Sequence, residues 1–387
     1  MIILADQNIP YARECFSSIG TVKTIPAEKF SRADLRDVDA VVVRAVTPVN
    51  ADLLNDTHVR FVATPTSGTD HIEVEYLKAR DIGFASAAGG NANAVAEYVM
   101  AALFYLAAKY DLDLAGMSIG IIGVGHIGSK VAQKAEAIGM QVLLNDPPLQ
   151  RETGDACYLS LAELFDCDFI TLHTPLTRNG IDRTYHLVDR HFLDSLKSGV
   201  FIIHSARGAV ADTAALTESL QTGHLAGAVV DVWENEPNID LTLMDKVDIA
   251  TPHIAGFTVD GRVGAVMMVY QAMCRYFGIR ERNVLGDFLS EGEKLLIEID
   301  PSIMNEQELI HRIIQRVYSI ELDDTRMRKM GPFTADERAA HFIKLRRQYP
   351  VRREFTHTGV QLQSPAPSVA ARLTGLGFQV ANHGQGR

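Results

Sequence analysis

Short, mostly apolar runs alternate with helix-spaced apolar positions over the first two thirds of the chain. The runs at 2–5, 21–25, 40–43, 61–63 and 83–85 predict strands, and 11–18, 52–55 and 74–80 carry the helical spacing between them. Short strands alternating with helices in this way predict a parallel sheet. Two polar loops, 44–48 and 64–71, follow strands of this series, and open parallel sheets bind ligands beyond the carboxyl ends of their strands. The stretch 91–109 predicts one long helix, apolar on most faces and placed to pack between two domains. A second α/β series follows, with strands at 119–122, 141–144, 169–172, 200–203, 228–230 and 248–250. A long helix over 259–277 is expected to return to the first domain and make it discontinuous.

The pattern changes after Gly278. A strand-like LLIEI begins at Leu295, a helix capped near Asn305 runs to Tyr318, and a charged helix covers 334–348. The alternating EFTHTGVQL that follows predicts antiparallel-type strands. The fold class expected is therefore α/β: two doubly wound, Rossmann-like parallel-sheet domains with a cleft between them, plus a C-terminal α+β module. The boundaries read as 1–92 with 256–285, 93–255, 286–380, and a tail at 381–387.

Composition narrows the partners. At 387 residues, 47% hydrophobic and 22% charged, the chain reads as globular, and a net charge of −11 argues against nucleic acid or an anionic membrane. No basic, signal-like N-terminus appears, and the longest apolar run, 98–108, is too short to span a bilayer. Cys15, Cys157, Cys167 and Cys274 form no C-x-x-C pair, so a cytoplasmic location with reduced thiols is expected.

The chemistry starts at the strand over 119–122. Gly123, Gly125 and Gly128 follow it at G-x-G-x-x-G spacing, with His126 and Ile127 opening the next helix. Gly123 permits the tight turn, Gly125 lets backbone approach a pyrophosphate, and Gly128 lets helix pack on strand. The next strand ends at Asp146, 18 residues past Gly128, placed to accept from a ribose 2′-hydroxyl and to repel a 2′-phosphate. This favours NAD as cofactor, with Arg151 nearby leaving NADP open. Arg207, Glu236 and His253 then stand just past later strands. Oxidising a secondary alcohol needs a base for its proton, a carboxylate to orient that base, and a cation for a neighbouring carboxylate. His, Glu and Arg suit these roles in turn.

The motifs GVGHIG, Asp146-PP, HTPL, ARGAV, DVWENEP and TPHIAG together resemble the D-isomer-specific 2-hydroxyacid dehydrogenases. The resemblance implies that Arg207, Glu236 and His253 are catalytic, and that Thr174, Asp231 and Gly256 contact the cofactor. It also implies that Thr66, Phe257 and the backbone of Ala45 contact the substrate. Three positions depart from the commoner pattern: Ala45 stands for Ser, Phe257 for Tyr and His204 for Asn. YAR, VVVRAVT, TSGTDHI, GGNANAVAEY and FIKLRRQYPVRREF are similar to a subgroup that oxidises a phosphorylated four-carbon hydroxy acid. That similarity implies a homodimer assembled through the C-terminal module. The phosphate calls for charge-assisted donors: Arg44 from its own subunit, and Arg346 from the partner subunit. Two other readings stay open, a different D-2-hydroxy acid such as 3-phosphoglycerate and a non-catalytic NAD-sensing protein.

Overall fold

The N-terminal runs at 2–5, 40–43 and 61–63 are almost wholly buried while those at 21–25 and 83–85 are only partly so, and the computed structural model, which describes residues 1–289 and 295–382, assembles all five into one sheet. They are β1 (Ile2–Asp6), β2 (Thr21–Ile25), β3 (Ala40–Val42), β4 (Phe61–Thr64) and β5 (Gly83–Ser86), ordered β2-β1-β3-β4-β5 and parallel throughout. The late helix Val259–Phe277 belongs with this sheet. Its Val266, Val269 and Met273 pack on Ile3, Val42, Phe61 and Ala63. The Thr258 hydroxyl caps its start by accepting from the Gly261 N–H, and Gly278 at φ 65° ends it. The other sheet face is covered by Leu35, Leu54 and Leu77.

Two compact units result: Met1–Asn91 with Thr258–Gly292, and Ala92–Phe257 with Glu293–Arg387. The C-terminal module thus shares a unit with the nucleotide-type sheet, whereas three domains were expected. That second sheet comprises β6 (Ser118–Ile122), β7 (Gln141–Asn145), β8 (Phe169–Leu172), β9 (Val200–His204), β10 (Leu225–Val230) and β11 (Ile249–Ala250). Its order is β11-β10-β9-β8-β6-β7, all parallel. The long helix Ala92–Tyr110 lies inside this unit, packed by the helices His126–Ala137, Glu306–Val317 and Ile320–Arg328. A helix covered on several sides needs no polar face, which explains its sequence.

The module's three strands are β12 (Leu295–Ile299), β13 (Thr358–Leu362) and β14 (Gln379–Asn382), and both pairs are parallel. This corrects the antiparallel expectation. Thr358, Val360 and Leu362 are buried while Gly359 and Gln361 are half-buried, so the alternation reports a sheet buried on one face. Alternation carries no information on strand direction; the long helical connection from β12 to β13 does, because it can return the chain in parallel. Residues 381 and 382 belong to β14, and the remainder of the expected tail, 383–387, lies outside the described residues. Among the described residues, no helix is long and apolar enough to cross a membrane.

Ile297, Ile310, Ile313, Phe355, Val360 and Leu373 of the module share one core with Val99, Leu103, Leu106 and Ile119. Burying each such side chain contributes roughly 1.5–3 kcal/mol, so six of them rival the stability of a whole domain, about 5–15 kcal/mol. Truncation ahead of residue 286 should therefore give aggregated protein. A monodisperse, folded truncate in sedimentation velocity would contradict this shared core.

Candidate active site

The order of the second sheet reverses at β6, which has β8 on one side and β7 on the other, and the glycine turn leaves at that switch point. Gly123 has φ 89°, and a Cβ there would stand 2.9 Å from the His173 carbonyl and the Thr174 nitrogen. A Cβ on Gly128 would collide with the Gly123 carbonyl oxygen. At Gly125 a Cβ would meet nothing within 4 Å, so the space beside that backbone is open. Gly125 caps the helix that His126 and Ile127 begin, leaving first-turn N–H groups for an anion.

Asp146 follows β7 directly and ties the turn down. One carboxylate oxygen accepts from the Val124 N–H at 2.8 Å, the other from Leu149 N–H at 3.0 Å. A carboxylate has about four acceptor sites, so capacity remains for a ribose hydroxyl. Arg151 is ion-paired with Asp182 and so is engaged away from any 2′-phosphate. Beyond β8 and β9, the Thr174 and Ser205 hydroxyl oxygens are buried without a protein partner. An open backbone cradle, an anion-ready helix end and unpartnered buried hydroxyls fit a dinucleotide.

The catalytic group is built from the ends of β10 and β11. Asp231, fully buried, accepts from Thr251 Oγ1 at 2.6 Å, Ile254 N–H at 2.8 Å and Ala255 N–H at 3.0 Å. Its own carbonyl accepts from the His253 N–H at 2.7 Å. Tyr98 reaches the Thr251 hydroxyl at 2.7 Å, and the Trp233 indole N–H donates to the Thr251 carbonyl at 2.9 Å. His253 is thereby held at φ 57°, a left-handed conformation that a non-glycine residue adopts at a cost. Its Nδ1 lies 2.8 Å from Glu236 Oε2, while Glu236 Oε1 accepts from the Trp233 N–H at 2.8 Å. Burial would raise the Glu236 pKa, but the His253 hydrogen bond and charge, the Trp233 N–H and the charge of Arg346 outweigh it and hold the group low. Glu236 is thus a carboxylate. Its Oε2 accepts a hydrogen bond from the Nδ1–H tautomer of His253, which leaves Nε2 as the ring's acceptor.

Arg207 begins the 3₁₀ turn Gly208–Val210 just after β9, with Nη1 donating to the Ala206 carbonyl at 2.7 Å. Gly256 and Phe257 complete the loop after His253. The Arg346 guanidinium sits 5.8 Å from the Phe257 ring centroid of its own chain, near enough to Glu236 to act on its charge. The folding of the module against the nucleotide-type sheet brings it there, and sequence spacing carries no signal of that. Arg346 Nε is buried and unpartnered.

In the first unit, the sheet order also reverses, at β1, and Arg44 follows neighbouring β3. Arg44 Nε donates to the buried Asp6 carboxylate at 2.8 Å. Burial and then the nearby Arg44 charge push the pKa of Arg262 down, so the two cations are close enough to repel. Arg262 was not singled out from sequence, since it sits in a helix more than two hundred positions away. Ala45 is exposed, and the Thr66 hydroxyl donates to the Gly68 carbonyl at 2.8 Å.

His204, in the place of the commoner Asn, is buried beside His173. Burial pushes the His204 imidazole down to about 4 and that of His173 down to about 3, with the neighbouring His204 adding to the latter. Both lie below the ordinary value of 6.5, so the unfolded chain binds more protons in acid. Their contribution to stability is complete above pH 6.5 and is lost as pH falls toward 4. Each group fully titrating only in the unfolded state costs about 1.4 kcal/mol per pH unit. Chemical denaturation between about pH 6 and 4.5 should show His204→Asn with a shallower acid loss than wild type; equal slopes would contradict the buried neutral imidazole. Separately, Gly125→Ala should keep the wild-type Tm while weakening NAD binding by about 10-fold or more in calorimetric titration. Unchanged NAD affinity would show that the cradle is not where the pyrophosphate lies.

Comparison with known proteins agrees with this geometry. Residues 88–255 match the D-isomer specific 2-hydroxyacid dehydrogenase NAD binding domain, and residues 293–377 match a domain of unknown function. The chain is 39% identical over 383 residues to the erythronate-4-phosphate dehydrogenase of Proteus mirabilis, covering 99% of this chain and 100% of that one. It is 40% identical to the enzyme of the same name from Chromohalobacter salexigens, covering 98% and 99%. Among solved structures, D-lactate dehydrogenase from Aquifex aeolicus with NAD and lactic acid superposes with TM-score 0.59 at 25% identity, over 72% of this chain and 96% of that one. The TT0316 protein of Thermus thermophilus gives TM-score 0.60 at 26% identity, over 73% and 99%. The chain belongs to the D-isomer-specific 2-hydroxyacid dehydrogenase family, among its erythronate-4-phosphate dehydrogenases, and is an NAD-dependent oxidoreductase.

Proposed function

We propose that the protein oxidises 4-phospho-D-erythronate to 2-oxo-3-hydroxy-4-phosphobutanoate, a step of pyridoxal 5′-phosphate biosynthesis in the cytoplasm. The observation that carries this reading is the likeness over the full length, module included, to enzymes named for that substrate. The intact group of Arg207, Glu236 and His253 supports turnover over mere NAD sensing, because a binding protein has no use for an oriented proton acceptor. NAD, when bound, supplies the acceptor for the hydride that leaves C2. Nε2 of His253 takes the C2 hydroxyl proton, and the Glu236 carboxylate 2.8 Å from Nδ1 stabilises the imidazolium that forms. Arg207 pairs with the substrate carboxylate and polarises the developing carbonyl through its fork of N–H donors. Arg346, with an unpartnered buried Nε, supplies a cation for the phosphate from within its own chain. In the first unit, Arg44 and Arg262 are the candidate contacts for an anionic group, with Thr66 and the Ala45 backbone in that unit's strand-end loops. The module also provides the proposed homodimer interface.

Initial rates of NADH formation test the substrate. We expect kcat/KM for 4-phospho-D-erythronate to exceed that for D-erythronate and for 3-phosphoglycerate by at least about 100-fold, because remote phosphate binding is drawn upon at the reacting carbon. A preference for 3-phosphoglycerate, or no turnover of any acid, would overturn the assignment. His253→Ala should lower kcat by roughly 10²–10⁴-fold with NAD affinity retained; near-wild-type turnover in the folded variant would remove His253 as the base. Arg346→Ala should raise KM for the phosphorylated acid by about 10-fold or more and slow the already weak reaction of D-erythronate by a much smaller factor, through the lost charge beside Glu236. An equal proportional loss on both acids would place Arg346 away from the phosphate.

A further inference from the structure

Arg352 is 4% exposed, deep in the second unit, and none of the catalytic roles above uses it. Its Nη2 donates to the Ala94 carbonyl at 2.9 Å and its Nη1 to the Ala255 carbonyl at 3.2 Å, while the guanidinium lies 3.8 Å over the Tyr318 ring. One side chain therefore ties together the start of the helix Ala92–Tyr110, the loop after β11 and the C-terminal module. The next residues along the chain reinforce the same contact. Phe355 N–H donates to Glu97 Oε1 at 2.9 Å, and Asn93 Nδ2 donates to Glu97 at 2.9 Å and to Glu354 at 2.6 Å.

Burying a guanidinium is costly, and apolar residues of similar volume commonly replace buried ions without loss of stability. A buried arginine is better understood where its directed donors hold something in place. Here they hold the Ala255 carbonyl. The Ala255 N–H is already fixed by Asp231 at 3.0 Å, so this residue is gripped at its amide from the β10 side and at its carbonyl from the module. Ala255 is two residues from His253, whose contact with Glu236 at 2.8 Å depends on the loop keeping its strained course.

We propose that Arg352 is a positioning residue for His253, so that the C-terminal module supports the proton transfer from within its own chain. The proposal rests on the reading of His253 as the base. It does not rest on the identity of the acid oxidised. The two carbonyl bonds fix where the imidazole stands; substrate and NAD are bound by other groups. Losing them displaces the base without unmaking either binding site.

Arg352→Lys and Arg352→Gln test this in the full-length enzyme, assayed against wild type on whichever 2-hydroxy acid wild type oxidises fastest. Lys keeps the charge and reaches one carbonyl; Gln keeps a single neutral donor. We expect kcat to fall about 5–10-fold in the Lys variant and about 100-fold in the Gln variant, as displacements near 1 Å do to a catalytic group. KM for the acid and the Kd for NAD should stay within about 2-fold of wild type. A lowered Tm with wild-type kcat in either folded variant would overturn the proposal, leaving Arg352 as packing alone. Loss confined to KM or to NAD affinity would overturn it as well. Should the Gln variant fail to fold, the Lys variant alone decides by the same kcat criterion. Failure of wild type to oxidise 4-phospho-D-erythronate is read separately and leaves the variant-to-wild-type ratio on another acid intact as the test.

Discussion

The placing of the base in the catalytic group depends on one buried carboxylate, that of Asp231. A charge taken out of water is tolerable only when fully hydrogen-bonded, and Asp231 meets that condition with the Thr251 hydroxyl and the Ile254 and Ala255 amides. Those partners are the loop that carries His253. Satisfying the charge and shaping the loop are therefore the same event. The left-handed backbone of His253 is the strain that this carboxylate offsets.

From that anchor the polar contacts run outward in two directions. Through Thr251 they reach Tyr98, in the helix Ala92–Tyr110, and through the Trp233 indole they reach the strand-end turn that carries Glu236. Through Ala255 they reach Arg352 and the C-terminal module. The base, the carboxylate that orients it and the module are consequently parts of one packed body. That is why the module shares a core with the nucleotide-type sheet and folds in the same unit.

Much of this was legible in the sequence, for definite reasons. Runs such as Phe169–Leu172 and Val200–His204 are buried on both faces, so their composition alone marks them as central parallel strands. Gly123 and Gly128 are dictated by close backbone approach, which leaves a spacing that can be read directly. Strand direction in the module was not legible, because the one-faced burial of Thr358–Leu362 gives the same alternation in either direction. Nor was the place of Arg346 beside Phe257 of its own chain, since a cluster of basic residues looks alike whether it faces water, a partner or a catalytic loop. Arg352, in the FIKLRRQYPVRREF segment with Arg346, proves to be buried, and Arg262 is brought near Arg44 only by the return of its helix to the first sheet.

The account turns on Asp231 holding the loop through its charge, and the rate of NADH formation by Asp231→Asn tests this most directly. Asparagine keeps the shape but offers one acceptor oxygen and two donors, so it cannot accept from Thr251, Ile254 and Ala255 together. With folding verified by circular dichroism, kcat should fall by about 100-fold or more, as expected when a catalytic group loses its position. A folded Asp231→Asn enzyme that turns over at the wild-type rate would contradict the claim that this carboxylate sets the geometry of His253.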